Sequence, residues 1–343
     1  MTSQESFETV AREGDFVETT NRLFFDVKGL LHPSDRLVAY LRYYPDNRGT
    51  RSRDGVRYVK VYDLTKRRLL LEKRWPRYLY YDEVQGRELQ GVPKDSILAL
   101  HTPRQRLAVL LRSKRKDAVE ASATMLVKTL AQESGLPYGC FGVSGSLLVG
   151  LHRAGSDLDI IVYGLIAAKR VQRALSTLLE EGQTYHRYRR RDLRSLYLRR
   201  GLRAAITLRD FTLQERRKVL QGKFQSHDYF IRCVKNWEEI TERYGDVRYT
   251  PAGECAVSAK VTDEGESLMT PCRYLLEGVE ILKGDLSCRP REVISFRGRF
   301  AEQASQGERI LARGRLERVR SAGSDYYRLV VGEGPRDVLR TIW

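Results

Sequence analysis

Two aspartates, Asp157 and Asp159, open the apolar run Ile160-Ile161-Val162-Tyr163-Gly164. In a strand, residues i and i+2 point the same way, so both carboxylates face one side while Leu158 and Ile160 face a core. Adjacent carboxylates repel and lose solvation together, an arrangement that is unfavourable unless a cation sits between them. Mg²⁺, or Mn²⁺ in its place, takes oxygen ligands and divides its shell between protein carboxylates and substrate phosphates. Two such ions stabilise the attacking and leaving oxygens in phosphoryl and nucleotidyl transfer. Upstream, Gly145-Ser146 stands between the short apolar stretch 138–145 and the turn of helix expected from Leu147-Leu148-Val149. Gly145 permits a sharp turn, and Ser146 falls at a helix N-terminus, where free N–H groups and the helix dipole attract phosphate. Either element alone is common, and a lone Asp-x-Asp more often lies at a strand edge. Here ten residues separate Ser146 from Asp157, which lets a phosphate cradle and two carboxylates meet around one nucleoside triphosphate.

The stretch Val143-Ser144-Gly145-Ser146 with Asp157-Leu158-Asp159-Ile160 resembles the DNA polymerase β-like nucleotidyltransferase superfamily over about residues 117–235. The flanking regions, 14–45, 270–274 and 294–319, are similar to a group of archaeal predicted nucleotidyltransferases of unassigned substrate. The superfamily resemblance implies a third carboxylate from a later strand. Asp228, which opens the apolar run Tyr229-Phe230-Ile231, is the favoured candidate, and Asp210 is its rival. It also implies an NTP donor, Mg²⁺ or Mn²⁺ on Asp157, Asp159 and Asp228, and Gly145 and Ser146 as nucleotide-binding residues.

The composition points to a polyanionic partner. Lys and Arg number 61 against 44 Asp and Glu, a formal net charge of +17, and such an excess gains affinity for phosphates by releasing condensed counterions. It is concentrated in 185–203, where Arg187, Arg190, Arg191 and Arg194 would share a helix face near Tyr188 and Tyr197. Guanidinium groups suit phosphates and tyrosines can stack on unpaired bases, so nucleic acid, RNA above DNA, is the expected partner. The bland alternative is a solvated helix. The shorter run Arg112-Ser113-Lys114-Arg115-Lys116 reads as solvated surface. His152, His186 and His227 read as structural or supporting residues, since two-metal transfer needs no histidine. Nothing pairs Ser146 with a His/Asp partner, so it reads as a phosphate contact and not a nucleophile.

These residues need elements to position them. Residues 22–30, 36–44, 56–64 and 77–82 carry aromatic and β-branched residues between turn signals and read as strands. Their tyrosines read chiefly as packing for a small sheet. From Pro103 to Gly135 the chain is helical in character, with Ala118, Ala121, Met125 and Leu126 on one face. A second amphipathic helix spans 167–181, with Val171, Ala174, Leu175, Leu178 and Leu179 inward. Beyond residue 250, short runs at 255–261, 291–300, 309–319 and 326–332 suggest a small closed β module, with Arg297-Gly298-Arg299 and Arg313-Gly314-Arg315 at exposed strand turns. The fold class expected is α+β. A polymerase β-like nucleotidyltransferase domain with a mixed sheet and helices (103–249) is flanked by an N-terminal β-rich domain (1–102) and a small C-terminal β-barrel-like domain (250–343).

Five dispersed cysteines give no metal-binding spacing and read as reduced thiols of a cytoplasmic protein. No apolar window reaches the roughly 18–20 residues of a membrane span, and the polar N-terminus does not read as a secretory signal. The expected activity is metal-dependent transfer of a nucleoside monophosphate to a hydroxyl, an RNA or DNA end before a small molecule or protein. A non-catalytic nucleic-acid-binding module is the alternative outside enzymology.

Overall fold

The computed structural model describes residues 10–342. It is mixed α+β and strand-rich, with three sheets and seven α-helices among the described residues. No helix among them is long and apolar enough to cross a membrane.

The first sheet holds β1 (Phe16–Thr19), β2 (Phe24–Val27), β3 (Arg36–Pro45), β4 (Arg51–Arg53), β5 (Val56–Lys60), β6 (Leu79–Asp82), β7 (Arg87–Pro93) and β8 (Ile97–His101). Its order is β4-β5-β3-β2-β1-β8, with β7 pairing both β3 and β6. One part of this region is not strand. Helix α1 (Leu64–Arg74) follows β5 directly, begun by Asp63, whose side chain accepts from the Lys66 N–H at 2.8 Å. Its strong helix formers outweigh the β-formers that flank it on both sides. The tyrosines divide as expected of a packed sheet: Tyr43 and Tyr58 are buried, Tyr62 and Tyr81 exposed.

The single helix expected over 103–135 is two, α2 (Pro103–Arg112) and α3 (Ala118–Ser134). The basic run between them is the connection, and Asp117 begins α3 with a capping box shared with Glu120. The buried face of α3 is Val119, Ala123, Leu126, Val127 and Leu130. Ala118, Ala121 and Met125 lie exposed, while Leu126 is buried as expected. After β9 (Phe141–Val143), α4 (Gly145–Leu148) and β10 (Leu158–Tyr163) comes α5 (Leu165–Glu181), which buries all five residues expected of it. Next are β11 (Tyr185–His186), α6 (Arg190–Arg199), α7 (Leu208–Arg216), β12 (Gln221–Phe224) and β13 (His227–Val234). The second sheet runs β11-β12-β13-β10-β9, with β10 antiparallel to β9 and parallel to β13. Helices α3 and α5 cover one face, where Leu126, Val127, Val171 and Leu175 join Leu158, Ile160, Val162 and Ile231 in one core. Each such side chain contributes about 1.5–3 kcal/mol on burial.

The third sheet contains β14 (Arg248–Asp263), β15 (Cys272–Lys283), β16 (Pro290–Ser295), β17 (Arg309–Ser321), β18 (Ser324–Val330) and β19 (Val338–Thr341). The pairings β14-β15-β16-β18-β17 return to β14, so five strands close into a barrel, and β19 adds to β17. Strand β16 ends at Ser295, and Arg297-Gly298-Arg299 runs beyond it into a short 3-10 turn, Gly298–Phe300.

Candidate active site

The parallel pairing of β10 with β13 builds the site. Leu158 stands opposite Tyr229 and Asp159 opposite Phe230, which sets Asp157 beside Asp228 at the head of the two strands. Alternation then divides the sheet. Leu158, Ile160, Tyr229 and Ile231 enter the helix-covered core, while Asp157, Asp159, Asp228, Phe230 and Arg232 belong to the opposite face. The first sheet covers that face: a Cβ on Gly14 would lie 2.8 Å from the Ile161 side chain, and Phe16, Phe24, Tyr43 and Tyr58 pack on Leu148, Val149 and Leu151 beyond the Gly-Ser turn.

The Gly145 turn presses against Asp159. Gly145 has φ +62°, and a Cβ there would fall 1.9 Å from Asp159 Oδ2, so only glycine lets the turn and the carboxylate coexist. Ser144 N–H donates to the Asp159 carbonyl at 2.8 Å, and Ser144 Oγ donates to Gly14 O at 2.7 Å. From α2, Arg106 donates to Leu147 O at 2.9 Å and to Glu120 at 2.6 Å. The following helix, α4, has four residues. The phosphate-attracting dipole expected of it is therefore slight, and what the turn offers a phosphate is its local N–H groups.

Asp157 reaches solvent at the rim, but the protein packed on its inner side desolvates it and raises its carboxyl above the ordinary range. The charges of Asp159 and Asp228 add to the rise, and Lys60 and Arg199 oppose it. Asp228 Oδ1 accepts from Lys223 Nζ at 2.7 Å, and its Oδ2 lies 3.8 Å from the Arg199 guanidinium. Lys60, reaching in from β5, is pulled down to about 7 by burial and by Arg42, against the attraction of Asp159. Arg42, Tyr43, Lys60, Ser144, Gly145, Ser146, Asp159 and Arg232 line one small cleft.

Other expected residues lie elsewhere. Asp210 sits in the first turn of α7, its N–H bound by Thr207 and its carboxylate 4.0 Å from Arg340, away from β10. Arg187 precedes α6 and donates to the carbonyls of Arg216 and Lys218, so the four-arginine helix face reduces to Arg190, Arg191 and Arg194, all exposed. Tyr197 packs on Phe211 with its hydroxyl on Ile206 O, which removes it from any stacking surface. His152 Nε2 lies 2.6 Å from Asp117 Oδ2. Asp117, Glu120 and His152 are close enough to suggest a metal group, yet Asp117 Oδ1 and Glu120 Oε2 are occupied by the cap of α3. His227 Nδ1 lies 3.3 Å from Ser156 O. The contributions of Arg42, Lys60, Lys223 and Arg232 were not anticipated; Lys60 and Lys223 stand in strands facing the carboxylates, and no local spacing marks them.

No protein-family model matches the chain, and no solved structure matches it. It is 30 % identical over 335 residues to uncharacterized protein MJ1086 of Methanocaldococcus jannaschii, covering 93 % of this chain and 94 % of that protein. The chain belongs to the same family as that protein.

Proposed function

We propose that this family member is a metal-dependent nucleotidyltransferase with a polymerase β-like core, moving a nucleoside monophosphate from an NTP to a hydroxyl acceptor with release of pyrophosphate. The observation that carries this reading is the convergence of Asp157, Asp159 and Asp228 on one sheet face with the Gly145 turn against Asp159.

The donor set fits the metal: it is made of carboxylate oxygens, which Mg²⁺ and Mn²⁺ prefer, and their mutual repulsion is what a cation relieves. Asp157, Asp159 and Asp228 would hold the ions, which when bound would neutralise the triphosphate and stabilise the reacting oxygens. Backbone N–H groups at Gly145 and Ser146 would hold phosphate oxygens, with Lys60 and Arg42 supplying charge from the facing sheet. The acceptor oxygen bonds to the α-phosphorus, the bond from that phosphorus to its bridging oxygen breaks, and pyrophosphate leaves. The hydroxyl proton passes to Asp228 Oδ2, the oxygen that Lys223 leaves open. Arg190, Arg191 and Arg194 on α6, the helix whose Arg199 approaches Asp228, support a polyanionic acceptor, an RNA or DNA end or a small phosphorylated molecule.

The test is transfer of label from each α-labelled NTP, with Mg²⁺ or Mn²⁺, to RNA, DNA, protein and small phosphorylated acceptors. Label lost in Asp157→Ala/Asp159→Ala supports the reading. A folded protein that neither transfers label nor binds any NTP with metal overturns it.

A further inference from the structure

A second space, of about 570 Å³, lies where the three sheets meet. Asp26, Tyr40, Arg42 and Arg67 enter from the first sheet and its helix, Phe230 and Arg232 from β13, and Arg297, Arg299 and Arg328 from the barrel. It shares Asp26, Arg42, Phe230 and Arg232 with the cleft at Gly145 and Asp159, so the two spaces adjoin.

Its lining is lopsided in charge: nine lysines and arginines against Asp26 and Glu333. Some of the cations are matched. Arg87 pairs with Glu333 at 2.8 Å, Arg200 with Glu215 at 3.1 Å and Arg328 with Glu317 at 2.8 Å. Four are not: among the described residues no carboxylate lies within ion-pair distance of Arg42, Arg67, Arg297 or Arg299. Arg67 donates to the Val61 carbonyl, whereas the buried Nε of Arg299 has no hydrogen-bond partner. Burial holds both Arg67 and Arg299 down to about 10 and lowers Arg297 as well. Concentrating unpaired guanidinium groups out of water costs free energy unless an anion completes them. Flat apolar surface stands beside them in Phe230, Phe296, Tyr244 and Tyr249, and the volume is that of a pocket for a ligand of nucleotide size.

We infer that this cavity is the acceptor pocket, and that it takes a small, multiply phosphorylated molecule whose phosphates meet Arg42, Arg297 and Arg299 and whose hydroxyl points toward Asp159. The acceptor role rests on the nucleotidyltransferase reading; the binding of a phosphorylated ligand does not. Arg297 and Arg299, expected at an exposed turn, thereby acquire a reason to be drawn inward.

Binding is measured by titration calorimetry with inorganic tripolyphosphate and with ADP, both in EDTA, on wild type, Arg297→Gln/Arg299→Gln and Asp157→Asn/Asp159→Asn. Wild type and the aspartate variant are expected to bind both probes, and the arginine variant at least tenfold more weakly. Arg297→Lys/Arg299→Lys, which keeps the charge, is expected to recover most of the affinity. Thermal unfolding guards against a misfolded variant: the Gln pair is expected to melt no lower than wild type without ligand and to lose the rise that tripolyphosphate gives wild type. Failure of both probes to bind wild type, or unchanged binding in a folded Gln pair, overturns the proposal. So does a 5′-phosphorylated RNA oligonucleotide that binds through Arg297 and Arg299 when neither small probe does. Metal-dependent NTP binding lost in the aspartate variant is read separately, so the cavity and the reaction can fail independently.

Discussion

A Cβ placed on Gly145 would sit 1.9 Å from Asp159 Oδ2, so the turn and the carboxylate are fitted to each other. Gly145→Ala therefore meets two obstacles, the clash and a φ of +62° that alanine disfavours. The strain is on the order of 1–3 kcal/mol, and the carboxylate must swing aside. We expect a folded protein with its melting point lowered and NTP transfer reduced by about a hundredfold or more, as for other misplacements near 1 Å. Unchanged transfer by this variant would show that Asp159 needs no fixed position.

Asp228 and Asp210 are separable by substitution. Asp228→Asn removes a charge beside Asp157 and turns the ion pair that Lys223 makes at 2.7 Å into, at most, a hydrogen bond to a neutral amide. Transfer is expected to fall by about three orders of magnitude, the scale of a lost charge-stabilising group. Asp210→Asn, in the first turn of α7, is expected to stay within about threefold of wild type, since surface changes are mostly mild. The reverse order would move the third ligand to α7.

His32 sets an acid limit on stability. Its Nε2 lies 2.8 Å from Ala11 O and so carries the proton, while Nδ1 accepts from Val38 N–H at 3.1 Å. Burial lowers its pKa to about 4, below that of the unfolded chain near 6.5. Between those values the unfolded chain holds a proton that the native one lacks, so stability is full above pH 6.5 and declines as pH falls toward 4. The loss amounts to at most about 3 kcal/mol. Urea titrations at pH 7 and pH 4.5 should show His32→Gln losing less than wild type on acidification; parallel losses would acquit His32.

Asp117→Ala should destabilise α3. It removes acceptors for the Val119 and Glu120 N–H groups and the contact with His152. The expected loss is about 1–2 kcal/mol, read as a lower denaturation midpoint. If Asp117 instead served a metal, added Mn²⁺ would raise the melting point of wild type and not of this variant; with a cap, Asp157→Ala/Asp159→Ala and not Asp117→Ala removes any such rise.

The parts of the site within one segment were legible. Asp157 and Asp159 declared a strand with one carboxylate face, and Gly145 a turn, because period-two alternation and glycine's freedom are local properties. Asp228 could only be favoured over Asp210, since what unites it with Asp157 is parallel pairing across the chain. Failures were of two kinds. Helix α1 and the break at Asp117 were hidden by neighbouring composition, although Asp63 and Asp117 are recognisable caps. Tyr197, Arg297 and Arg299 read as surface from the charged and turn residues around them, and Arg187 as part of a helix that begins only at Arg190. The inward placement of Tyr197, Arg297 and Arg299 depends on a ring and a cavity supplied by distant segments, and the exposed Arg187 is tethered by carbonyls equally distant in sequence, none of which a window of sequence contains.

The parallel register of β10 and β13 also bears on how the molecule comes into being. Asp228 follows Asp157 by about seventy residues, with α5, α6 and α7 in between, whereas β9 and β10 are near neighbours joined antiparallel. Closing the longer loop costs more chain entropy before any contact repays it. Synthesis also delivers the first sheet, Asp157 and Asp159 before β13. A nascent chain therefore carries Asp157 and Asp159 before Asp228 stands beside them, and a metal held by all three, as proposed, would be acquired only once β13 has docked.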